Sequence, residues 1–469
     1  MDHYASSKAV HHKSPNYQHH NFDPISEAGP ALNACCGLSR CIGLISRRAA
    51  TKHFVLSVTC VLVTASAALA APVTYTAPAA AGAYTITDLG TLGGSTSRAF
   101  SINSTGEVAG TSATSNGVQA QGHAFLWKPA VRNGTQGKMV DLSPQIQRVS
   151  GNPPGDELPM GQYARPIAGT QLPGVLVVPR LGIPNARMSL LRKLPQSTNN
   201  SDAYGISAGN CVVGTVRMVG GKPHAVLWRN GSKEDLGTLG GDQDSAYSVN
   251  DQGLVVGMSM VDSNCHHAFL WRSGKMHDLG TLVRDPDQAG QYLEDSTALA
   301  VNARGEVAGF SYTSSGHDAD YHACLWIGRY ILDLGTLGGR YSTARALNDV
   351  GEVVGQSLTS GILPERHAFW WHDGKMSDIS PFSSKLSDAL GINNRGQVVG
   401  LAELPDGDYH AFFYSKGQSQ DLNNLLAAGS GWELQEAHSI NNFGQIVGIG
   451  RVSGETHAFL LTPVLHEVK

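Results

Sequence analysis

From residue 84 onward the apolar positions fall in short strand-length runs of Val, Ile, Phe and Trp, broken every few residues by turns that carry Gly. The stretch 245–282 displays the unit: S-A-Y-S-V-N-D-Q-G-L-V-V-G-M-S, a short connection, then H-A-F-L-W-R-S-G-K-M-H-D-L-G-T-L. Residues 246–249 and 254–259 read as strands joined by a tight turn with Asn250 first and Gly253 fourth. A third strand begins at His267 and turns through Ser273-Gly274 into a fourth. The same place holds Asn230-Gly231, Asp373-Gly374 and Lys416-Gly417, two-residue hairpin chemistry that wants φ > 0. Segments of helix length with a 3.6-residue period are nearly absent, so each unit predicts four short antiparallel strands.

Three signatures repeat along the chain. Apolar-Asn-x-x-Gly-x-V-x-Gly recurs at Asn103, Asn250, Asn302, Asn348, Asn393 and Asn441, with Ser207 in a seventh copy. His-Ala-Phe, or a close form of it, begins at His123, His224, His267, His322, His367, His410 and His457. Asp-Leu-Gly-Thr-Leu-Gly-Gly is clear at Asp88 and Asp235, recognisable at Asp278 and Asp333, and shortened at Asp141, Asp378 and Asp421. From the Asn or Ser position the spacings are 104, 43, 52, 46, 45 and 48 residues. Periods of this size mean propellers, solenoids or arrays. Tight hairpins argue against a parallel solenoid, and a radially repeated four-stranded meander is a β-propeller.

The chain opens on a fourth strand at 84–90 and ends on a third strand at 457–462. Pairing the two completes the last blade and removes two exposed edges. The expected fold is therefore all-β: a closed propeller over 84–463, followed by a short tail at 464–469. The interval between Asp141 and Ser207 is about twice normal and holds strand-like pieces at 167–170 and 186–191. Eight blades are favoured on that account; seven blades with residues 143–203 as an insertion is the alternative.

The recurring motif set resembles the HAF family of probable extracellular repeat proteins, over the whole of 84–463. That resemblance implies secretion and a repeat fold and brings no activity with it. Val226 and Cys324 depart from the Phe position, and Tyr414 and Leu461 from the Trp position.

Seven His at one repeat position invite a metal reading, but equivalent positions in a propeller lie on a ring and cannot converge on one ion. With the 273–274 turn, Phe269 pairs opposite Asp278, so His267 sits diagonal to that carboxylate on one face. His123, His224, His267, His322, His367, His410 and His457 are accordingly read as structural, each pinning two strands by roughly 0.2–1 kcal/mol. The glycines of the Asp-Leu-Gly-Thr-Leu-Gly-Gly run precede no helix and accompany no Lys, which makes them turns rather than a phosphate loop.

Function is expected where the repeat varies. Connections from strand two to three and from one unit to the next differ in length, and in a meander both emerge on one face. Candidate ligand-binding residues there are Asp285, Asp287, His317, Asp318, Asp320, Tyr321, Tyr341 and Trp432, with Tyr341 or Trp432 as a stacking platform. Oxygen ligands suit Ca²⁺, so Asp318 and Asp320 are the metal candidates; no other cofactor is expected. No catalytic residue is assigned.

Composition and charge narrow the class. The chain has 469 residues, 55 of them Gly, with 15% charged and 41% hydrophobic residues, which is enough for a packed core. Residues 1–70 carry a net +3 of the formal −4, so the remainder is acidic at −7 and lacks the basic footprint of a nucleic-acid binder. Residues 54–70 form an uncharged apolar run preceded by Arg47, Arg48 and Lys52 and ending in Ala68-Leu69-Ala70. This reads as a signal peptide cleaved near Ala70–Ala71, with an Ala/Pro-rich linker at 71–83. Secretion or periplasmic residence follows, with no membrane contact after cleavage. Three cysteines without C-x-x-C spacing remain beyond the leader, so neither a disulfide framework nor a zinc site is indicated.

The reading is a secreted, monomeric binding or scaffolding propeller that meets a carbohydrate or a surface protein. The alternative is a carbohydrate-active hydrolase or lyase using a carboxylate pair on the loop face.

Overall fold

A computed structural model describes residues 82–114, 122–143, 197–218, 221–261, 265–283, 295–314 and 320–464. The leader, most of the linker, most of the C-terminal tail and the strand pieces expected at 167–170 and 186–191 lie outside the described residues.

The described chain is all-β, with one short 3-10 turn at Leu422–Leu425. Its strands group as four-stranded antiparallel units at 93–141, 197–235, 244–278, 296–333, 338–378 and 387–421, each paired in chain order, here called units 1 to 6. Unit 7 takes Trp432–Ile440, Ile446–Val452 and Glu455–Pro463, and its fourth strand is the N-terminal Tyr84–Asp88. There Thr85 faces Thr462 and Asp88 faces Phe459. Units 4 and 5 are additionally joined by one parallel pair, Tyr321 with Tyr341.

Turn chemistry explains why these strands begin and end where they do. Ser273 and Gly274 adopt φ of 51° and 84°, the left-handed pair that a two-residue hairpin needs. In the turn between strands one and two, Asn250 Oδ1 accepts from the backbone N–H of Gln252 and of Leu254, both at 3.0 Å. Gly257 on the second strand has no room for a side chain: a Cβ would collide with the Ser245 carbonyl and with the Phe269 ring. This close approach explains the pairing of Val-x-Gly with the Phe of His-Ala-Phe.

The core is divided among the junctions between units. One cluster joins Ala109, Ala124 and Leu126 of unit 1 to Ala203, Ile206 and Trp228 of unit 2. Equivalent clusters join units 2 and 3, 3 and 4, 4 and 5, 5 and 6, and 6 and 7. A seventh joins Val447, Ala458 and Leu460 of unit 7 to Ala99, Val108 and Phe125 of unit 1.

Polar links follow the same path. The Asn103 Nδ2 donates to the Ser207 carbonyl at 3.0 Å, Asn250 to Asn302 at 2.9 Å, and Asn302 to Asn348 at 3.1 Å. Asn348 reaches Asn393, Asn393 reaches Asn441, and Asn441 returns to Asn103 at 3.1 Å. The repeated Asn is thus more than a turn former; it ties each unit to the next. Ser207 has no amide to donate, and its unit reaches the next through the backbone N–H of Ala208, 2.6 Å from Asp251 Oδ1, a bond that three other junctions make in addition to the Asn amide.

The remaining motif residues form a second set of links. At five junctions the N–H of the Ala in His-Ala-Phe donates to a Ser Oγ on the first strand of the next unit, as Ala323 does to Ser342 at 2.8 Å. That hydroxyl donates onward to the Gly335 carbonyl of Asp-Leu-Gly at 2.6 Å. Phe269 lies opposite Asp278, and His267 Nδ1 stands 2.8 Å from Asp278 Oδ2. The same His–Asp pair occurs in all seven units at 2.7–3.5 Å, the last between His457 and Asp88. Burial of Asp278 opposes its ionisation, but hydrogen bonds from His267 and the Gly280 N–H outweigh that and hold the carboxyl below its usual range.

Candidate functional site

With the repeated residues occupied in holding units together, chemistry is left to positions that differ between units. On the first strand these are set by a bulge. In every unit the pairing to strand two slips by one residue just after a fully buried Ala, as between Ala246 and Ser248. A bulge adds an unpaired residue and re-aims its side chain. The bulge residues are Phe100, Tyr204, Tyr247, Leu299, Arg345, Leu390 and His438. Two positions earlier stand Arg98, Asp202, Ser245, Thr297, Thr343, Asp388 and Glu436.

The bulge side chains meet across unit boundaries. Phe100 lies 5.6 Å from Tyr204 and, edge-on, 5.3 Å from His438, while Tyr204 lies 5.5 Å from Tyr247. Burial raises the Tyr204 hydroxyl well above its usual range, helped by the Asp202 carboxylate to which it is hydrogen-bonded. These phenols are neutral donors. The aromatic arc therefore spans units 7, 1, 2 and 3.

Charged residues complete the arc and are matched in pairs. Arg345 of unit 5 meets Asp388 of unit 6, Nε and Nη2 each 3.0 Å from Oδ2. Burial pushes Asp388 above the usual carboxylate range despite the guanidinium. His438 Nε2 stands 3.0 Å from Glu436 Oε2, and that hydrogen bond, aided by the charges of His438 and Arg98, holds Glu436 low.

The structure brings three of the expected ligand-binding residues to this region. Tyr321 and Tyr341 stack with centroids 4.6 Å apart and planes 18° apart. Arg340 lies 5.5 Å from the Tyr341 ring and places its Nε 2.6 Å from Asp320 Oδ1. Tyr321, Tyr341, Thr343, Gln356 and Arg366 line a recess of about 50 Å³. Arg366 also acts on Asp388, which connects this recess to the Arg345–Asp388 pair, whose arginine is on the strand that carries Tyr341. Trp432 is elsewhere: half-buried, it packs edge-on to Phe459, 6.3 Å away, against the core between units 6 and 7. Asp285, Asp287, His317 and Asp318 lie outside the described residues. Among the described residues no three His, Cys, Asp or Glu side chains gather as metal ligands, and the Asp320 charge is met by Arg340.

Sequence reasoning missed the bulge positions. The signal was present as a frame, Ser-Arg-Ala-Phe-Ser-Ile-Asn at 97–103 and Gln-Glu-Ala-His-Ser-Ile-Asn at 435–441, in which three places vary while Ala, a small residue, an apolar residue and Asn recur.

A family described as a protein of unknown function (DUF3466) matches residues 268–459, less than half of the chain. No curated protein matches it. Among solved structures the chain is similar to a gluconolactonase from Xanthomonas campestris, at 14% identity and a TM-score of 0.34 over 58% of this chain and 87% of that one. It is also similar to TolB from Acinetobacter baumannii, at 9% identity and a TM-score of 0.33 over 55% of this chain and 64% of that one. A puromycin-hydrolyzing peptidase of Mycobacterium tuberculosis matches at 11% identity and a TM-score of 0.29, covering 53% of this chain and 49% of that one. At such identities and scores none of these proteins lends its activity to this chain.

Proposed function

We propose that this chain is a closed seven-bladed β-propeller acting as an exported binding module, with its ligand at the variable-loop end of the axis. Support for closure comes from the seventh hydrophobic cluster and the Asn441–Asn103 bond, which join the last unit to the first. Seven blades, rather than the eight favoured by repeat spacing, are supported by the direct packing of unit 1 on unit 2. The insertion between those blades is then shorter than the 143–203 expected from the spacing, because Ser197–Ile206 is already the first strand of unit 2.

The observation that carries the binding role is the division of labour within the repeat. His, Asp, Ala, Phe, Gly and Asn of the motifs are spent on architecture, while the bulge residues and their neighbours two positions earlier differ from unit to unit. Aromatic rings on one side of the axis and internally neutralised Arg345–Asp388 and His438–Glu436 pairs on the other suit a neutral, amphipathic ligand such as a carbohydrate. Export is supported by the apolar run at 54–70 with its Ala68-Leu69-Ala70 end.

The test is a glycan array and calorimetry on the exported protein, with Tyr204→Ala and Arg345→Ala beside the wild type. Retention of a glycan by the wild type and loss of at least tenfold in affinity in each variant is expected. Unchanged binding in both variants would move the site away from the bulge ring.

A further inference from the structure

We infer that the opposite end of the axis, where the six Asn turns and the Ser207 turn meet, is a second binding site, built for a small polyhydroxylated ligand. The turns enclose a depression of about 220 Å³. Aliphatic residues such as Ile102, Ile206 and Leu347 line it deeper in, and the residues just after each Asn or Ser207 form its rim. An apolar floor beneath convergent polar groups is the usual make-up of a small-molecule site.

The rim carries an interrupted hydrogen-bond circuit. In four places the N–H of the rim residue is met by the rim side chain of the next unit. Ala208 donates to Asp251 at 2.6 Å, Ala303 to Asp349 at 2.9 Å, Asp349 to Asn394 at 2.9 Å and Asn394 to Asn442 at 2.9 Å. At the other three junctions the next rim residue is Ala208, Ala303 or Ser104, and none of these supplies the acceptor. The backbone N–H groups of Ser104, Asp251 and Asn442 therefore have no protein partner among the described residues. By the repeat they point where an Asp or Asn oxygen stands elsewhere. Two of these openings, after Asn442 and after Ser104, are adjacent.

The chemistry that completes the circuit is a hydroxyl. Its oxygen accepts from the open N–H groups, and its proton goes to the Asp251 oxygen left over once Oδ1 has taken the Ala208 N–H. An inorganic anion would accept equally well but would meet the carboxylates of Asp251 and Asp349 on the same rim. The volume, about seven waters' worth of liquid, admits one small ring or a short polyol. This site is independent of the loop-end reading, because it uses the other end of the axis and none of the same side chains.

The experiment titrates the ¹⁵N-labelled full chain with glucose, glycerol and, separately, inorganic phosphate, following the amides of Ser104, Asp251 and Asn442. Saturable shifts at these amides with glucose or glycerol in the millimolar range, and none with phosphate, are expected. Ala208→Asn supplies the missing acceptor over Ser104 and should weaken binding at least fivefold while leaving the fold intact. Ala303→Asn, which fills the opening over Asp251, serves the same purpose should Ala208→Asn not fold. Absence of saturable shifts with either polyol, equal affinity in wild type and variant, or preference for phosphate would each overturn the assignment.

Discussion

Asp244 occupies the first-strand position where five other units place a serine: Ser97, Ser201, Ser296, Ser342 and Ser387. Those hydroxyls accept from an Ala N–H of the preceding unit, and Ser97, Ser296 and Ser342 also donate to a Gly carbonyl. Asp244 is fully buried; it bonds Ser259 through Oδ1, and its Oδ2 has no partner among the described residues. Burial, with the neighbouring carboxylates of Asp235 and Asp242, outweighs the Ser259 bond and raises its pKa from 3.8 to about 7. The folded state therefore holds the proton more tightly than the unfolded one. The sign follows: no penalty arises below about pH 4, the penalty grows through the interval, and it is complete above about pH 7. At about 1.4 kcal/mol for each tenfold difference in proton affinity, full ionisation costs about 4 kcal/mol, and about 2.5 kcal/mol of that falls between pH 5 and pH 8. Asp244→Ser restores the common residue and removes the titration. Urea unfolding of wild type and variant at both pH values measures the effect, since packing differences cancel in the comparison. The variant should gain about 2.5 kcal/mol on the wild type from pH 5 to pH 8. A stability difference that stays the same within about 0.5 kcal/mol would refute the reasoning.

Further outcomes follow from the links between units. Asn441→Ala loses two backbone turn bonds, the Gln445 side-chain bond and the bond to Asn103, and should cost about 2–4 kcal/mol by denaturant unfolding. Ser207→Asn adds the missing amide toward unit 3 and should stabilise by about 0.5–1.5 kcal/mol in the same assay. His267→Ala should cost roughly 0.2–1 kcal/mol, because the pair is partly solvated and other bonds hold the strands. Deleting 71–92 removes the fourth strand of unit 7 and should lower the melting midpoint or the solubility; a truncated chain that melts like the intact domain would count against closure.

Much of the architecture could be read from turn chemistry. Asn-x-x-Gly and the two-residue Gly turns fix where strands reverse, and the offset between His267 and Asp278 follows from a single two-residue loop. The pairing of 84–88 with the last strand was legible because an unmatched fourth strand and an unmatched third strand stood at opposite ends. The role of Asn between units was not, since nothing local distinguishes an amide that closes a turn from one that also reaches a neighbour 45–52 residues away. The bulge residues escaped for a related reason. Strict alternation sends successive side chains to opposite faces, and one extra residue before Ser248 or Ser439 breaks that count where it matters. The variable connections drew attention to Asp320, Tyr321 and Tyr341 but could not say that an Arg on a neighbouring strand would satisfy the carboxylate.

Unit 7 is assembled from the two ends of the repeat region: His457 and Asp88 are 369 residues apart and meet at 2.8 Å. A sheet of this kind cannot form while the polypeptide is still being made, because its outer strand is synthesised first and must wait, unpaired, for the last strands to emerge. Until then units 1 and 6 each expose the face that packs on unit 7 in the finished structure. Maturation is timed by the C-terminus: a ribosome that stops short of residue 455 leaves a product without its clasp, whatever the quality of the six units before it.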